Sequence, residues 1–196
     1  MFSNTSYYFS ASLLITVLNI TSACASDTGL ITFDGAVTDA TCTLTTSNGL
    51  DSSNITLSMP VVKKAEVSSA TIASGGVGSK EFEFLLNDCP EALTAAVITF
   101  SSQQFAELSN GTLKVDPTLS GAAQNVSIAL FNNTADNKSQ VKIGDPSDIP
   151  QTVALAAGSG RFAYKAAYVP SADWSVTNNV ISGKVSTNAT FTLSYE

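Results

Sequence analysis

The sequence predicts an all-β sandwich, and three observations support that fold class. Apolar and polar residues alternate over many short runs, as they do in strands with one buried face. Turn-forming dipeptides such as Asn110-Gly111 separate these runs. Charged residues make up only 13% of the 196 residues, and Ser, Thr, Asn, Ala and Val are abundant instead, a mix that favours strands and turns over helices. A chain of this length fits one domain with a proper hydrophobic core.

The first segment, residues 1–25, is typical of a secretion signal. It contains no charged side chain, carries an apolar stretch at 13–18 and ends with small residues at Ala23 and Ala25, which fit a signal-peptidase site. The apolar stretch is too short to span a bilayer, which needs about 20 residues. No Lys or Arg precedes it, so two alternatives stay open: a buried N-terminal helix, or Cys24 as a lipidated N-terminus.

The strands are predicted from the alternation, in chain order. The runs are 30–37, 42–44, 54–59, 80–86, 95–100, 113–115, 125–131, 152–155, 161–169 and 181–195. No long segment holds a helical period, and only residues 103–108 could form a short helical turn.

The cysteines predict one disulfide. Cys24 leaves with the signal, so Cys42 and Cys89 remain, 47 positions apart. Two cysteines in a secreted chain usually pair because the compartment is oxidising, and such a bridge is worth roughly 4 kcal/mol in the chain-entropy model. A lone reactive thiol or a metal pair are the alternatives, although neither has a neighbouring histidine.

The composition argues against several classes of function. The chain has no histidine, which removes the commonest general base and the usual zinc ligand. Its net charge of −7 argues against nucleic-acid binding, which rests on clustered Lys and Arg. We therefore predict no catalytic residues, no metal, no cofactor and no small-molecule substrate.

Both ends of the predicted mature chain are strands. Residues 26–37 begin as an extended strand ahead of the first disulfide cysteine, and residues 187–196 alternate up to the last residue. An apolar strand at the edge of a sheet invites pairing with another chain. The two ends together suggest strand addition between subunits. The alternative is that both are edge strands of a closed monomer.

Four motifs give the chain a family resemblance. Residues 29–42 match a G-x-I/V-x-F-x-G-x-V…C opening, 84–89 match the segment of a second cysteine, and 161–168 match an F-x-A-x-Y strand. Gly183 is fourteenth from the end, and the aromatic Tyr195 is penultimate. In this order the motifs resemble the pilin subunits of chaperone–usher fimbriae, such as type 1 and type 3 shaft subunits, over about residues 29–196.

The resemblance implies an incomplete immunoglobulin-like sandwich that lacks its last strand. A donor strand from a neighbouring subunit or a chaperone would complete it. The implied organisation is a signal peptide at 1–25, a donor-strand extension at 26–38 and a pilin domain at 39–196, with Cys42 and Cys89 as the family disulfide. The implied donor residues are Gly29, Ile31, Phe33, Gly35 and Val37. The implied groove and chaperone-contacting residues are Gly183, Ala189, Phe191, Leu193, Tyr195 and Glu196.

The resemblance also implies a function, a route and partners. The chain would be a structural, non-enzymatic subunit of an adhesive fimbria at the cell surface, exported through the periplasm and polymerised by donor-strand exchange. Its partners would be other pilin subunits, a periplasmic chaperone and an outer-membrane usher, with no nucleic acid. Two alternatives stay open: a minor or adaptor subunit, or a self-contained secreted β-sandwich binding domain, perhaps a lectin.

Overall fold

The computed structural model describes residues 41–46 and 55–196. In this part of the chain there are ten strands and one short helix. The elements are β1 (Thr43–Thr46), α1 (Lys64–Ser69), β2 (Val77–Asn87), β3 (Ala95–Ser101), β4 (Ala106–Glu107), β5 (Thr112–Lys114), β6 (Val126–Asn132), β7 (Gln140–Val141), β8 (Gln151–Ala154), β9 (Gly160–Pro170) and β10 (Thr190–Tyr195).

The strands form two antiparallel sheets. The larger has the order β1-β2-β9-β6-β5-β4, and β7 also pairs with β6. The smaller has the order β10-β3-β8. All seven residues of β6 are buried, so this strand is covered on both faces, and its near-continuous apolar sequence fits that position.

Aromatic rings join the two sheets. The Phe100 ring of β3 meets the Tyr164 ring of β9 edge-on, with centroids 5.0 Å apart. The Phe191 ring of β10 lies 4.7 Å from the Phe84 ring of β2. Phe84, Phe162 and Tyr164 are at most 1% exposed, so the core lies between the larger sheet and the smaller one. Such packing of two sheets over an apolar interior is a β-sandwich.

A buried carboxylate fixes the β4 end of the larger sheet. Glu107 Oε2 accepts hydrogen bonds from the hydroxyls of Thr112 and Ser127, at 3.0 and 3.2 Å, and from the Ala172 amide at 3.2 Å. Lys114 Nζ lies 3.4 Å from Glu107 Oε1. Burial raises the pKa of Glu107, but these hydrogen bonds and Lys114 outweigh it and hold the pKa below its usual value. The carboxylate is therefore charged at neutral pH and ties three strands to a loop.

The sequence located most strands correctly. The predicted runs at 80–86, 95–100, 125–131 and 161–169 correspond to β2, β3, β6 and β9. The runs beginning at 42, 113 and 152 correspond to the short strands β1, β5 and β8. Cys42 and Cys89 form the predicted disulfide. Residues 1–40, which carry the predicted signal, Cys24 and the first strand, lie outside the described residues.

Four local predictions differ from the structure. Residues 55–59 form no strand, because Leu57 and Met59 reach the core without a ladder before Pro60. The end of the 103–108 run is the strand β4 rather than a helical turn, because it pairs with β5. The helix α1 was not predicted, since it has six residues and buries only Val67. Its first turn is capped by Glu66, whose carboxylate accepts from the Lys63 amide at 2.8 Å.

The last predicted strand is shorter than expected. It was predicted over 181–195, whereas β10 begins at Thr190. The preceding residues instead run beside residues 121–124, where Lys184 bridges Ala122 and Ile181 bridges Gln124. These contacts direct the backbone away from the sheet that β10 joins.

Candidate strand-addition site

The strand β10 lies at one end of the smaller sheet. Its six residues pair with β3 in a continuous antiparallel register from Thr190↔Ser101 to Tyr195↔Ala96. No other described strand pairs with β10, so its second edge is an open row of backbone donors and acceptors in this part of the chain. Such an edge is a template for a further strand.

The side chains of β10 alternate between half-buried and exposed. Phe191, Leu193 and Tyr195 are half-buried and pack against the core, whereas the Thr and Ser residues between them are exposed. None of the six residues is fully buried. The predicted alternation of apolar residues is thus present, and it leaves part of each apolar side chain uncovered.

Tyr195 connects this edge to the disulfide region. Burial raises the pKa of the Tyr195 hydroxyl, and a hydrogen bond with the Cys42 backbone partly offsets that rise. At the end of the strand, the backbone oxygen of Glu196 accepts from the amides of Thr94 and Ala95, at 2.8 and 3.1 Å. The backbone of β10 is therefore fixed along its whole length before any further strand is added.

An apolar cleft of about 570 Å³ lies beside the residues that precede β10. One wall is the segment 59–67 that leads into α1, and the other is the segment 180–185. Val126 and Tyr168, from β6 and β9, also line it. Val61 and Ile181 lie at the cleft and are exposed. The sequence gave no warning of this cleft, because its walls come from segments without a regular period.

Gly183 allows one wall of the cleft to form. A Cβ atom at this position would lie under 3.0 Å from backbone atoms of Gly121, Ala122 and Ala123. The same contact is held by two hydrogen bonds of 2.8 Å, from the Lys184 amide to the Gly121 oxygen and from the Ala123 amide to the Lys184 oxygen. The structure therefore gives a steric reason for the glycine that the sequence singled out.

The remaining predicted site residues fall in two groups. Ala189 is exposed and precedes β10 rather than lying in it. The donor residues Gly29, Ile31, Phe33, Gly35 and Val37 lie outside the described residues. The structure thus describes the acceptor side of the predicted interaction.

The chemistry of the described residues suits association. They contain no group of three or more His, Cys, Asp or Glu side chains placed to hold a metal ion. In the same residues, no helix is long and apolar enough to cross a membrane. What they offer is a sandwich, a fixed edge strand with a half-buried apolar row, and an apolar cleft ahead of it.

Comparison with known proteins agrees with this description. No protein-family model matches the chain. The F17 fimbrial protein of Escherichia coli is 30% identical over 174 residues, covering 86% of this chain and 87% of the relative. Long polar fimbria protein A of Salmonella typhimurium is 30% identical over 188 residues, covering 96% and 95%. Both relatives are matched over nearly their full length.

Solved structures support the fold. A chaperone–usher pilus structure matches with a TM-score of 0.55 at 18% identity, covering 90% of this chain and all of the other. The P pilus rod subunit PapA matches with a TM-score of 0.54 at 15% identity, covering 80% and 100%. The sandwich is therefore of the pilin type, as predicted.

The chain belongs to the family of fimbrial proteins. It is a structural subunit of a fimbria, which confirms the function predicted from the sequence.

Proposed function

We propose that this subunit polymerises by donor-strand exchange, in which residues 26–38 of one copy add to the open edge of β10 in the next. The observation that carries the proposal is the state of β10: it is fully paired with β3 on one edge, has no described partner on the other, and exposes part of every apolar side chain on its inner row. Added backbone bonds would contribute about 0.5–1.5 kcal/mol each.

The donor segment has the complementary pattern. Ile31, Phe33 and Val37 fall on one face of an extended strand, with Gly29 and Gly35 at the positions between or beside them. Burying each large apolar side chain beside Phe191, Leu193 and Tyr195 is worth roughly 1.5–3 kcal/mol. The sandwich then gains the strand that the family resemblance implies it lacks.

The same open edge accounts for a chaperone and an usher. A subunit with an exposed apolar edge is an aggregation hazard until it is covered. We propose that a periplasmic chaperone covers β10 and contacts Glu196 and Gly183 after export, and that an outer-membrane usher exchanges it for the next subunit. The assembled subunit then lies at the cell surface in an adhesive fimbria and acts without catalysis, with other fimbrial subunits as its partners.

Co-expression with the cognate chaperone tests the proposal. The full chain should give both a chaperone complex and polymer, whereas deletion of residues 26–38 should leave the complex and abolish polymer. If polymer persists without these residues, the donor-strand assignment is wrong.

A matched pair of substitutions separates side-chain burial from chain length. Phe33→Asp puts a charge on the face that enters the groove, so polymer should be lost. Thr32→Asp puts the same charge on the opposite face of the same strand and should leave polymer largely intact. Equal loss in both variants would argue against insertion as a strand.

A further inference from the structure

The apolar cleft beside residues 180–185 carries an unusual charge for this protein. The chain has 16 acidic and 9 basic residues, yet among the described residues that line the cleft the charged ones are Lys64 and Lys184. Both lysines are exposed, and neither forms an ion pair with a described carboxylate. The cleft is thus a local cationic site on an anionic protein.

The donor segment is the part of the chain that matches this site. Asp27 and Asp39 bracket the apolar run from Gly29 to Val37, and both have odd numbers, as the inward-facing donor residues do. In an extended strand, residues of one parity lie on one face, so both carboxylates face the acceptor. Asp34 has the other parity and faces away.

The lengths also match. Asp27 and Asp39 are twelve positions apart, about 40 Å in a strand, and Lys184 is eleven positions before Tyr195, about 36 Å if extended. A donor strand aligned with β10 therefore brings one aspartate to the lysines. In an antiparallel arrangement it is Asp39, and in a parallel arrangement it is Asp27.

We propose that Lys64 and Lys184 form a charge-selective end of the donor-strand site, which binds an aspartate of the donor segment of a second copy of this chain. The proposal rests on the donor-strand function proposed above. It adds that the cleft discriminates among incoming strands by charge: a strand ending in an aspartate is favoured, and one ending in a lysine is repelled.

Binding of a labelled peptide of residues 26–39 to the purified mature chain tests this selectivity. The acceptor variant Lys64→Glu/Lys184→Glu should bind on the order of tenfold more weakly than the native chain, in line with the loss of exposed pairs and new like-charge contacts. A control variant, Lys80→Glu/Lys138→Glu, changes the net charge equally at exposed lysines outside the cleft lining and should bind almost as the native chain does. Circular dichroism checks that each variant is folded.

Charge-swapped peptides provide the decisive readout and the strand direction. Asp39→Lys or Asp27→Lys in the peptide should weaken binding to the native chain and restore binding to the doubly reversed acceptor, and the peptide that does so identifies the direction. If the native peptide binds but the reversed acceptor binds equally well, or neither swapped peptide restores binding, the charge-selective site is refuted while the donor-strand function stands. If the native peptide does not bind at all and the 26–38 deletion still polymerises, both proposals fail.

Discussion

The strands β6 and β10 represent two ways of using an apolar sequence in one sandwich. All seven residues of β6 are buried between neighbours in the same sheet and layers on both faces. In β10 no residue is fully buried, and one edge has no described partner. The first strand is complete within the chain, whereas the second has unused hydrogen bonds and uncovered apolar surface. The difference separates the part of the molecule that holds the fold from the part that assembles it.

The largest effect is expected at the complete side. Phe162 on β9 is 0% exposed, and its ring stacks near that of Tyr164. Phe162→Ala leaves a cavity that a two-sided core cannot collapse, so it should lower the free energy of unfolding by about 3–5 kcal/mol. Denaturant unfolding of the monomeric chain measures this. A loss below about 1 kcal/mol would mean that the centre of the sandwich is looser than its burial indicates.

This contrast explains what the sequence could predict. Alternation located β2, β3 and β9 because their pattern is strong and local, and the runs of Phe and Tyr marked the core. The cleft was not predictable, since it depends on the approach of residues 59–67 to 180–185, and neither segment has a regular period. Gly183 was recognised from its place in a motif, but its reason, contact with the backbone of 121–123, required the fold.

The buried carboxylate of Glu107 gives the second prediction. Glu107→Gln removes the charge that Thr112, Ser127 and Lys114 stabilise, and should lower the free energy of unfolding by about 1.5–3 kcal/mol at pH 7. The folded-state pKa is below the ordinary 4.5, so the contribution is present above the unfolded-state pKa and is lost as the pH falls through the folded-state value. The difference between native and variant should therefore shrink only below about pH 4.5.

A surface carboxylate serves as the control for that measurement. Glu83 forms an exposed ion pair with Arg161 at 2.7 Å. Glu83→Gln should cost less than about 1 kcal/mol, because solvent screens exposed pairs. Equal effects of the two substitutions would contradict a special role for the buried cluster.

Gly183 tests the wall between the two regions. Gly183→Ala places a Cβ against the backbone of residues 121–123, so that wall must move, at a cost of about 1–3 kcal/mol. Because the wall lines the cleft, the variant should also bind the peptide of residues 26–39 more weakly. Ser182→Ala, at the neighbouring exposed position, should change stability by less than about 0.5 kcal/mol. A fully stable Gly183→Ala protein with native peptide binding would contradict the steric account.

The smallest effect on the isolated chain is expected at Phe191, and this is where the comparison is sharpest. Phe191 is half-buried against Phe84, so Phe191→Ala should lower the free energy of unfolding by about 1–1.5 kcal/mol, half the value of a fully buried side chain. If a donor strand covers the same ring, the assembled protein loses the remaining half as well, and polymer should dissociate in denaturant more readily than the change in the monomer accounts for. Phe162→Ala should behave in the opposite way, with its whole cost already present in the monomer. If the two variants divided their effects equally between monomer and polymer, β10 would be an ordinary edge strand and not the place where the next subunit binds.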